Sequence, residues 1–480
     1  MTTSRLLPSL ALAALIVAIA GPASAGSAGA LAPAEATAAP APVTDAATQK
    51  KLDELDQKVK VLERLREIEK EAADAKKADA VTVTANAKDG FSIKNADGTF
   101  ALKFSGLVQT DVRAFFDDEK AKLPTQFLVR RARPILEGTV YKYFEFRLVP
   151  DFGGGTAVIQ DAYADIKFLP EIGLRTGKFK APVGLERLQS DSFTYFIEPA
   201  LPTQLVPNRD VGVQLFGDIG SGVLTYQAGV FNGVADGASG DTDAFDDKDF
   251  DVRVYGAPFK NADIDALADL NLGFAASFGS QHATITTPAL ASYRSFGQNV
   301  FFRYKTDATT STAATAAGTA YAAGDRTRYT PQLYWAWDSA STLAEYVHSS
   351  QKVKLADVAD DVPADAWSVS IGYVLTGEKA SFKGVSPAAP FDPANGGWGA
   401  VEIAARYGNL SIGDEAFDLK FADPAKSANK AKEWGVGANW YLTKIYKLAL
   451  DFGRTEFEGG AKGGNREPEN AILTRFQAAF

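Results

Sequence analysis

From about residue 100 to the end, the chain alternates apolar and polar residues with period two, in segments of about ten residues. Leu272, Phe274, Ala276 and Phe278 alternate with Asn271, Gly273, Ala275 and Ser277. Trp367, Val369, Ile371, Tyr373 and Leu375 oppose Ser368, Ser370 and Gly372, and Trp434, Val436, Ala438 and Trp440 oppose Glu433, Gly435, Gly437 and Asn439. A soluble sandwich also alternates, but its strands are usually about five or six residues long. Segments twice that length match a tilted membrane strand. Their second face carries Arg, Glu, Asn and Gln, which suits a watery lumen. The fold class is therefore all-β, a closed antiparallel transmembrane barrel.

Strands are expected near 101–115, 127–137, 141–150, 158–168, 172–180, 211–217, 223–231, 249–257 and 270–279. Others fall near 327–337, 342–351, 366–376, 398–408, 432–442, 447–457 and 471–480. Short turns at 138–140, 169–171, 218–222, 338–341 and 443–446 mostly alternate with long connections, the asymmetry of periplasmic turns and outer loops. A strand-like piece at 299–306 would break that alternation, so it is assigned to an outer loop, 280–326. Sixteen strands remain. The segments 181–210, 280–326 and 376–397 are too long or too rich in proline for simple connections, and each is expected to dip into the lumen.

The amino terminus belongs to export. Arg5 precedes an apolar run over 10–20, and Ala23-Ser24-Ala25 supplies a cleavage pattern. Residues 1–25 read as a signal peptide. An Ala/Pro-rich linker over 26–46 follows, then a periplasmic helical segment over 47–79. In it Leu52, Leu55, Val59 and Leu62 follow 3-4-3 spacing, continued by Leu65, Ile68, Ala72 and Ala75 after a slip. That is a short coiled coil. A single amphipathic helix lying on the barrel is the alternative. The barrel itself occupies 100–480.

The residue inventory excludes most chemistry. There is no cysteine and there are only two histidines, so thiolate metal sites, disulfides and cysteine nucleophiles are out. No cofactor, catalytic residue or metal site is assigned. His282 and His348 have no serine placed beside them. The aspartate-rich stretch 241–251 fails the EF-hand spacing. Asp151-Phe152-Gly153-Gly154-Gly155 has no helix after it and is no P-loop. A net charge of −9 argues against nucleic acid.

One segment differs. Residues 126–210 hold eleven Lys/Arg against ten Asp/Glu, nearly neutral in an acidic chain. Strand parity turns Arg131 and Arg133 to the lumen with Glu137, and leaves Arg130 outward. Lys178 and Lys180 share a face, and Arg187 and Arg209 sit in the following loop. Rings of Lys or Arg favour anions, and Arg presents forked donors to phosphate. From charge alone, pairing of these cations with lumen carboxylates such as Glu137 and Glu145 is an equal reading.

Several strings carry a family resemblance. RRARPILEG (130–138), DAYADI (161–166), TGKFKAPVGLERLQS (176–190), VPNRDVGVQLFG (206–217), YVLTGE (373–378), WGAVEIAARYG (398–408) and GANWYL (437–442) resemble the phosphate-selective porin O/P family. The terminal Phe480 is similar to the signal by which outer-membrane barrels are recognised for assembly. The resemblance implies a homotrimeric sixteen-stranded porin of the Gram-negative outer membrane, in contact with lipid and lipopolysaccharide, whose inward loops constrict each channel. It implies an anion path for phosphate or phosphorylated solutes, with Arg131, Arg133, Lys178, Lys180 and Arg187 as its pore-lining residues. A general porin of low selectivity is one alternative. A barrel tethered to the cell wall through its coiled coil is another.

Overall fold

The computed structural model describes residues 45–78, 81–86, 90–116, 123–309 and 312–480. The expected signal peptide and all but the last two residues of the expected linker lie outside them. The chain divides into two compact units, 1–72 and 73–480. The first holds most of α1 (Ala46–Ala78), whose Leu52, Leu55, Val59 and Leu62 stripe is exposed. Among the described residues no second helix covers that stripe, so the helix is observed and the coil is not.

The second unit opens with a strand pair, β1 (Val81–Asn86) and β2 (Gly90–Asn95), and continues with β3 (Ala101–Phe116), β4 (Gln126–Val140) and β5 (Phe144–Asp151). Next are β6 (Val158–Leu169), β7 (Ile172–Lys180), β8 (Arg209–Ile219), β9 (Leu224–Phe231), β10 (Asp249–Gly256) and β11 (Asn271–His282). A small hairpin, β12 (Ser292–Arg294) with β13 (Val300–Arg303), precedes β14 (Tyr321–Trp337), β15 (Ala340–Leu355) and β16 (Val358–Val374). The chain ends with β17 (Ala400–Ile412), β18 (Ala428–Tyr441), β19 (Tyr446–Ala461), β20 (Gly464–Asn465) and β21 (Glu469–Ala479). Without β1, β2, β12, β13 and β20, sixteen strands pair antiparallel with their neighbours. β21 closes on β3 from Asn470↔Phe116 to Ala479↔Leu107. Closure removes the sheet edges that hydrocarbon does not tolerate.

The burial pattern is inverted relative to a soluble sheet. On β16, Trp367, Val369, Ile371 and Tyr373 are exposed while Ser368 and Ser370 are buried; on β14, Arg326, Arg328, Thr330 and Gln332 are buried. Apolar side chains face out and polar ones face in, as a lipid-facing barrel requires.

Local corrections have simple causes. The turn expected at 138–140 lies at 141–143, where Tyr141 and Lys142 take positive φ, because β4 stays paired with β5 through Val140↔Phe144. β15 and β16 run on past the expected ends to pair at Leu355↔Val358, leaving a two-residue connection where a long outer loop was expected. The strand-like piece at 299–306 is β13, which stays outside the barrel wall and pairs with β12.

All three long segments enter the lumen. Residues 181–208 form the inner core, with Val183, Leu185, Phe196, Ile197, Leu201 and Leu205 buried. Phe296, in the β12–β13 hairpin, meets Phe196 edge-on at 6.2 Å. From the opposite end Phe382 packs on Tyr334 at 5.0 Å, and its carbonyl accepts from Gln189 Nε2 at 2.8 Å.

Candidate functional site

The cationic wall begins at an irregularity in β4. Gln109 pairs with Arg131 but Thr110 pairs with Val129, so Arg130 is an extra residue, a bulge. A bulged residue escapes the alternation. Arg130 therefore does not point outward as parity requires: its Nε donates to Glu198 Oε1 at 2.8 Å and its Nη2 to Oε2 at 3.2 Å. Arg131 and Arg133 do face the lumen. Arg131 Nη1 donates to Gln109 Oε1 at 2.7 Å and its Nε lies 3.1 Å from Asp191 Oδ2. Arg133 Nε donates to Asp151 Oδ2 at 2.6 Å, and its Nη1 donates to Asp191. Glu137 pairs with Arg147 and Glu145 with Lys167, so the expected structural partners of Arg131 and Arg133 are engaged elsewhere.

Segment 181–208 is clamped at several points. On the cationic side Glu198 receives Arg113 at 2.9 Å as well as Arg130, and Arg475, held by Asp111, donates to the Ile197 carbonyl at 2.7 Å. At β15 and β19 the segment instead supplies backbone donors to wall carboxylates. Leu185 N reaches Glu345 Oε1 at 2.6 Å and Ile197 N reaches Asp451 Oδ2 at 2.6 Å. Arg406 lies between the two inward aromatics, 4.5 Å from the Phe196 ring and 5.3 Å from the Phe296 ring. Its Nη2 pairs with Glu433 at 2.8 Å. Burial pushes the Asp191 carboxyl up, but Arg131, Lys180, Arg133 and Arg209 around it outweigh that and hold it well below the usual carboxylate range.

Three cavities follow the cationic wall and share residues. The first, about 410 Å³, is lined by Arg130, Arg131, Arg133, Arg187, Arg209 and Arg294 against Asp191, Glu198 and Asp236. The second, about 280 Å³, is lined by Arg133, Arg147, Arg175, Lys180 and Arg209 against Asp161 and Asp191. The third, about 320 Å³, is lined by Lys103, Arg147, Lys167 and Arg175 against Glu137, Glu145 and Asp165. Arg133, Asp191 and Arg209 join the first to the second; Arg147, Tyr163 and Arg175 join the second to the third. The excess of positive charge is thus three, three and one.

Of the five residues expected to line the pore, Arg131, Arg133 and Arg187 border the first cavity, and Arg133 and Lys180 the second. Lys180 Nζ donates to the Gln189 carbonyl at 2.7 Å, and Arg187 donates to the Thr203 carbonyl. Among the described residues neither forms an ion pair. Lys178 is set apart: it pairs in register with Ala162 and Val211, borders none of the three cavities and binds Asp241. Arg130, Arg175 and Arg294 were not anticipated. Arg175 was not legible by the same parity, because it alternates with Thr176 and so with Lys178 and Lys180, the set read as pore-lining; its guanidinium lies 4.0 Å from the Tyr163 ring and is held by Asp165.

The aspartate-rich loop resolves into separate pairs. Asp241 meets Lys178, Asp243 meets Lys248, Asp247 meets His282, and Asp249 meets Arg326 and Arg328. Among the described residues no group of three or more His, Asp or Glu is arranged to hold a metal.

A family model described as phosphate-selective porin O and P matches residues 102–480. Porin O of Pseudomonas aeruginosa is 24% identical over 415 residues, which cover 84% of this chain and 93% of that protein. Two solved outer-membrane proteins share the fold. OmpT of Vibrio cholerae, in its trimer form, aligns with TM-score 0.50 and 11% identity over 80% of this chain and 100% of its own. The channel DcaP of Acinetobacter baumannii aligns with TM-score 0.50 and 10% identity over 81% and 99%.

Proposed function

The chain belongs to the phosphate-selective porin O and P family and is an outer-membrane porin; from that premise we propose that it passes small anions, phosphate and phosphorylated solutes among them. One observation carries the reading. Segment 181–208 occupies the Glu345 and Asp451 carboxylates with its backbone amides, and the open cavities border the cationic wall. A solute crossing the barrel meets guanidinium and ammonium groups throughout, although the whole chain is acidic.

Arg131, Arg133 and Arg187 in the first cavity and Lys180 in the second are the proposed contacts. Arg presents two parallel donors to a tetrahedral or planar anion, while Lys supplies a compact charge. Interleaved carboxylates keep each well shallow, and a pore needs shallow wells because a deep one traps the solute. In this reading Lys178 anchors an outer loop.

The same interleaving favours a second reading, a general porin of low selectivity. Reversal potentials in a potassium chloride gradient separate the two, with phosphate added to one side to test block of the chloride current. Anion selectivity with phosphate block supports the first; a reversal potential near zero with no block supports the second. A homotrimer with the α1 segments joined as a coiled coil completes the proposal. Mass measurement in mild detergent checks it, and a stable monomer from the intact chain refutes it. Deleting 26–79 distinguishes a tether, which loses cell-wall attachment, from a channel whose conductance persists.

A further inference from the structure

β1 and β2 do not belong to the closed cylinder, yet they continue its wall. β21 covers the edge of β3 only as far down as Ala479↔Leu107. Below that point β2 takes its place, pairing Phe91↔Phe104 and Ile93↔Leu102. β1 then adds to β2 through Val83↔Ile93 and Ala85↔Phe91. Two cross-strand rows result, Val83–Ile93–Leu102 and Ala85–Phe91–Phe104.

These rows have a definite side. Leu102 and Phe104 belong to the outward, lipid-facing set of β3, so Ile93, Phe91 and Val83 extend that apolar face without a step. The terminal Phe480 marks the junction: its ring centroid lies 6.3 Å from Phe91 and 6.4 Å from Phe104, and its backbone bonds Gly106 in both directions. The alternate rows are polar, with Thr84, Ser92 and Lys103 in register, and Lys103 borders the third cavity. Val83 is 73% exposed and Phe91 54%, a degree of apolar exposure that water penalises.

Resting on the outer-membrane reading, we propose that the β1–β2 pair is a membrane-contacting flap. Its Val81, Val83, Phe91 and Ile93 lie at the headgroup–acyl boundary of the periplasmic leaflet. The depth follows from the backbone. Among the described residues β1 pairs with β2 alone, and an open strand edge is not tolerated in hydrocarbon. At the boundary, headgroups and water satisfy that edge while the apolar rows reach the first carbons of the chains. Lipid is the occupant because the face is continuous, row by row, with the lipid-facing belt.

The absence of cysteine makes the test direct. Val83→Cys, Ile93→Cys, Thr84→Cys and, on the lipid face of β18, Val436→Cys are each labelled with bimane in the full chain. The proteins are reconstituted in phosphatidylcholine vesicles brominated near the headgroup end of the acyl chains. Quenching at Val83 and Ile93 should fall within about twofold of that at Val436, while Thr84 is quenched chiefly by aqueous iodide. Iodide quenching of Val83 and Ile93 equal to that of Thr84 would place the pair in water and overturn the proposal. Protection of both from lipid and iodide, with disulfide cross-linking between protomers carrying unlabelled Val83→Cys, would assign the face to a second copy and overturn it equally. The Val436 control ties a failure to the flap and leaves the porin reading standing.

Discussion

Asp191→Asn removes one negative charge from the point where the first two cavities meet, and its effect on selectivity can be worked from the geometry. The carboxylate lies 3.1 Å from Arg131 Nε and also accepts from Arg133 Nη1, so its neutralisation leaves the positive charge of two lumen-facing guanidinium groups less compensated, with Asp151 still on Arg133 and Gln109 still on Arg131. For a monovalent anion about 5 Å from the former carboxylate, one unit of repulsion is about 0.8 kcal/mol in bulk water and about 3 kcal/mol at an effective dielectric of 20. Salt at 0.15 M screens beyond about 8 Å, which leaves most of a contact at this distance. Admission of a monovalent anion should improve by about 1–3 kcal/mol, a several-fold to hundredfold gain in occupancy, and a divalent phosphate should gain more. In planar bilayers the variant should show a higher anion-to-cation permeability ratio, with phosphate blocking chloride current at correspondingly lower concentration. Asparagine keeps the shape and one carbonyl acceptor, so the segment should stay in place. The wild-type pH profile is an internal check. The Asp191 carboxyl is held well below the usual carboxylate range, so its ionised form contributes above the unfolded value of about 3.9 and is lost only as pH falls through the lower folded value. Wild-type selectivity should therefore not respond to Asp191 between pH 7 and 4.5. Unchanged reversal potential and unchanged phosphate block in a folded, inserted Asn variant would show that permeant ions do not pass Arg131 and Arg133, and the path described along this wall would be wrong.

Other outcomes follow from the same contacts. Arg131→Glu with Arg133→Glu should abolish anion preference and also raise conductance, because Asp191 loses the two groups that hold its part of segment 181–208 to this wall; the double Lys variant should stay anion-selective with weaker phosphate block. Lys180→Ala should lower anion selectivity whereas Lys178→Ala should not, a comparison read from reversal potentials of the two variants. Arg406→Gln breaks a fully buried pair with Glu433 and removes the cation between Phe196 and Phe296; a loss of about 3 kcal/mol is expected, seen as a lower unfolding midpoint in detergent and a noisier open channel. Deleting 379–395 withdraws Phe382 and Val385 from the lumen and should raise single-channel conductance, and unchanged conductance in a folded variant would place that segment outside the current path.

By itself the sequence determined the barrel, its sixteen strands and most strand faces. Alternation is a backbone property: successive side chains must point to opposite sides, so Ser368 and Ser370 against Trp367 and Val369 declare the lumen without reference to any other strand. Length and proline content likewise announced the three inward segments, since chain that long has no room in a turn. The partners of the lumen charges were another matter. Arg130 faces inward because β3 and β4 slip by one residue at Gln109/Thr110, a relation between strands that no periodicity within one of them records. Arg131 and Arg133 are neither free cations nor partners of Glu137 and Glu145. They meet Asp191, about sixty residues onward, only because segment 181–208 folds back across the barrel. Lys178 and Lys180 share parity in sequence, yet only Lys180 borders a cavity, while Lys178 is taken by Asp241 from another loop. Which cations remain for a solute is decided where loops return to the wall, and the pairing energy of charges in a confined lumen depends on distances of a few ångströms that only the closed barrel sets.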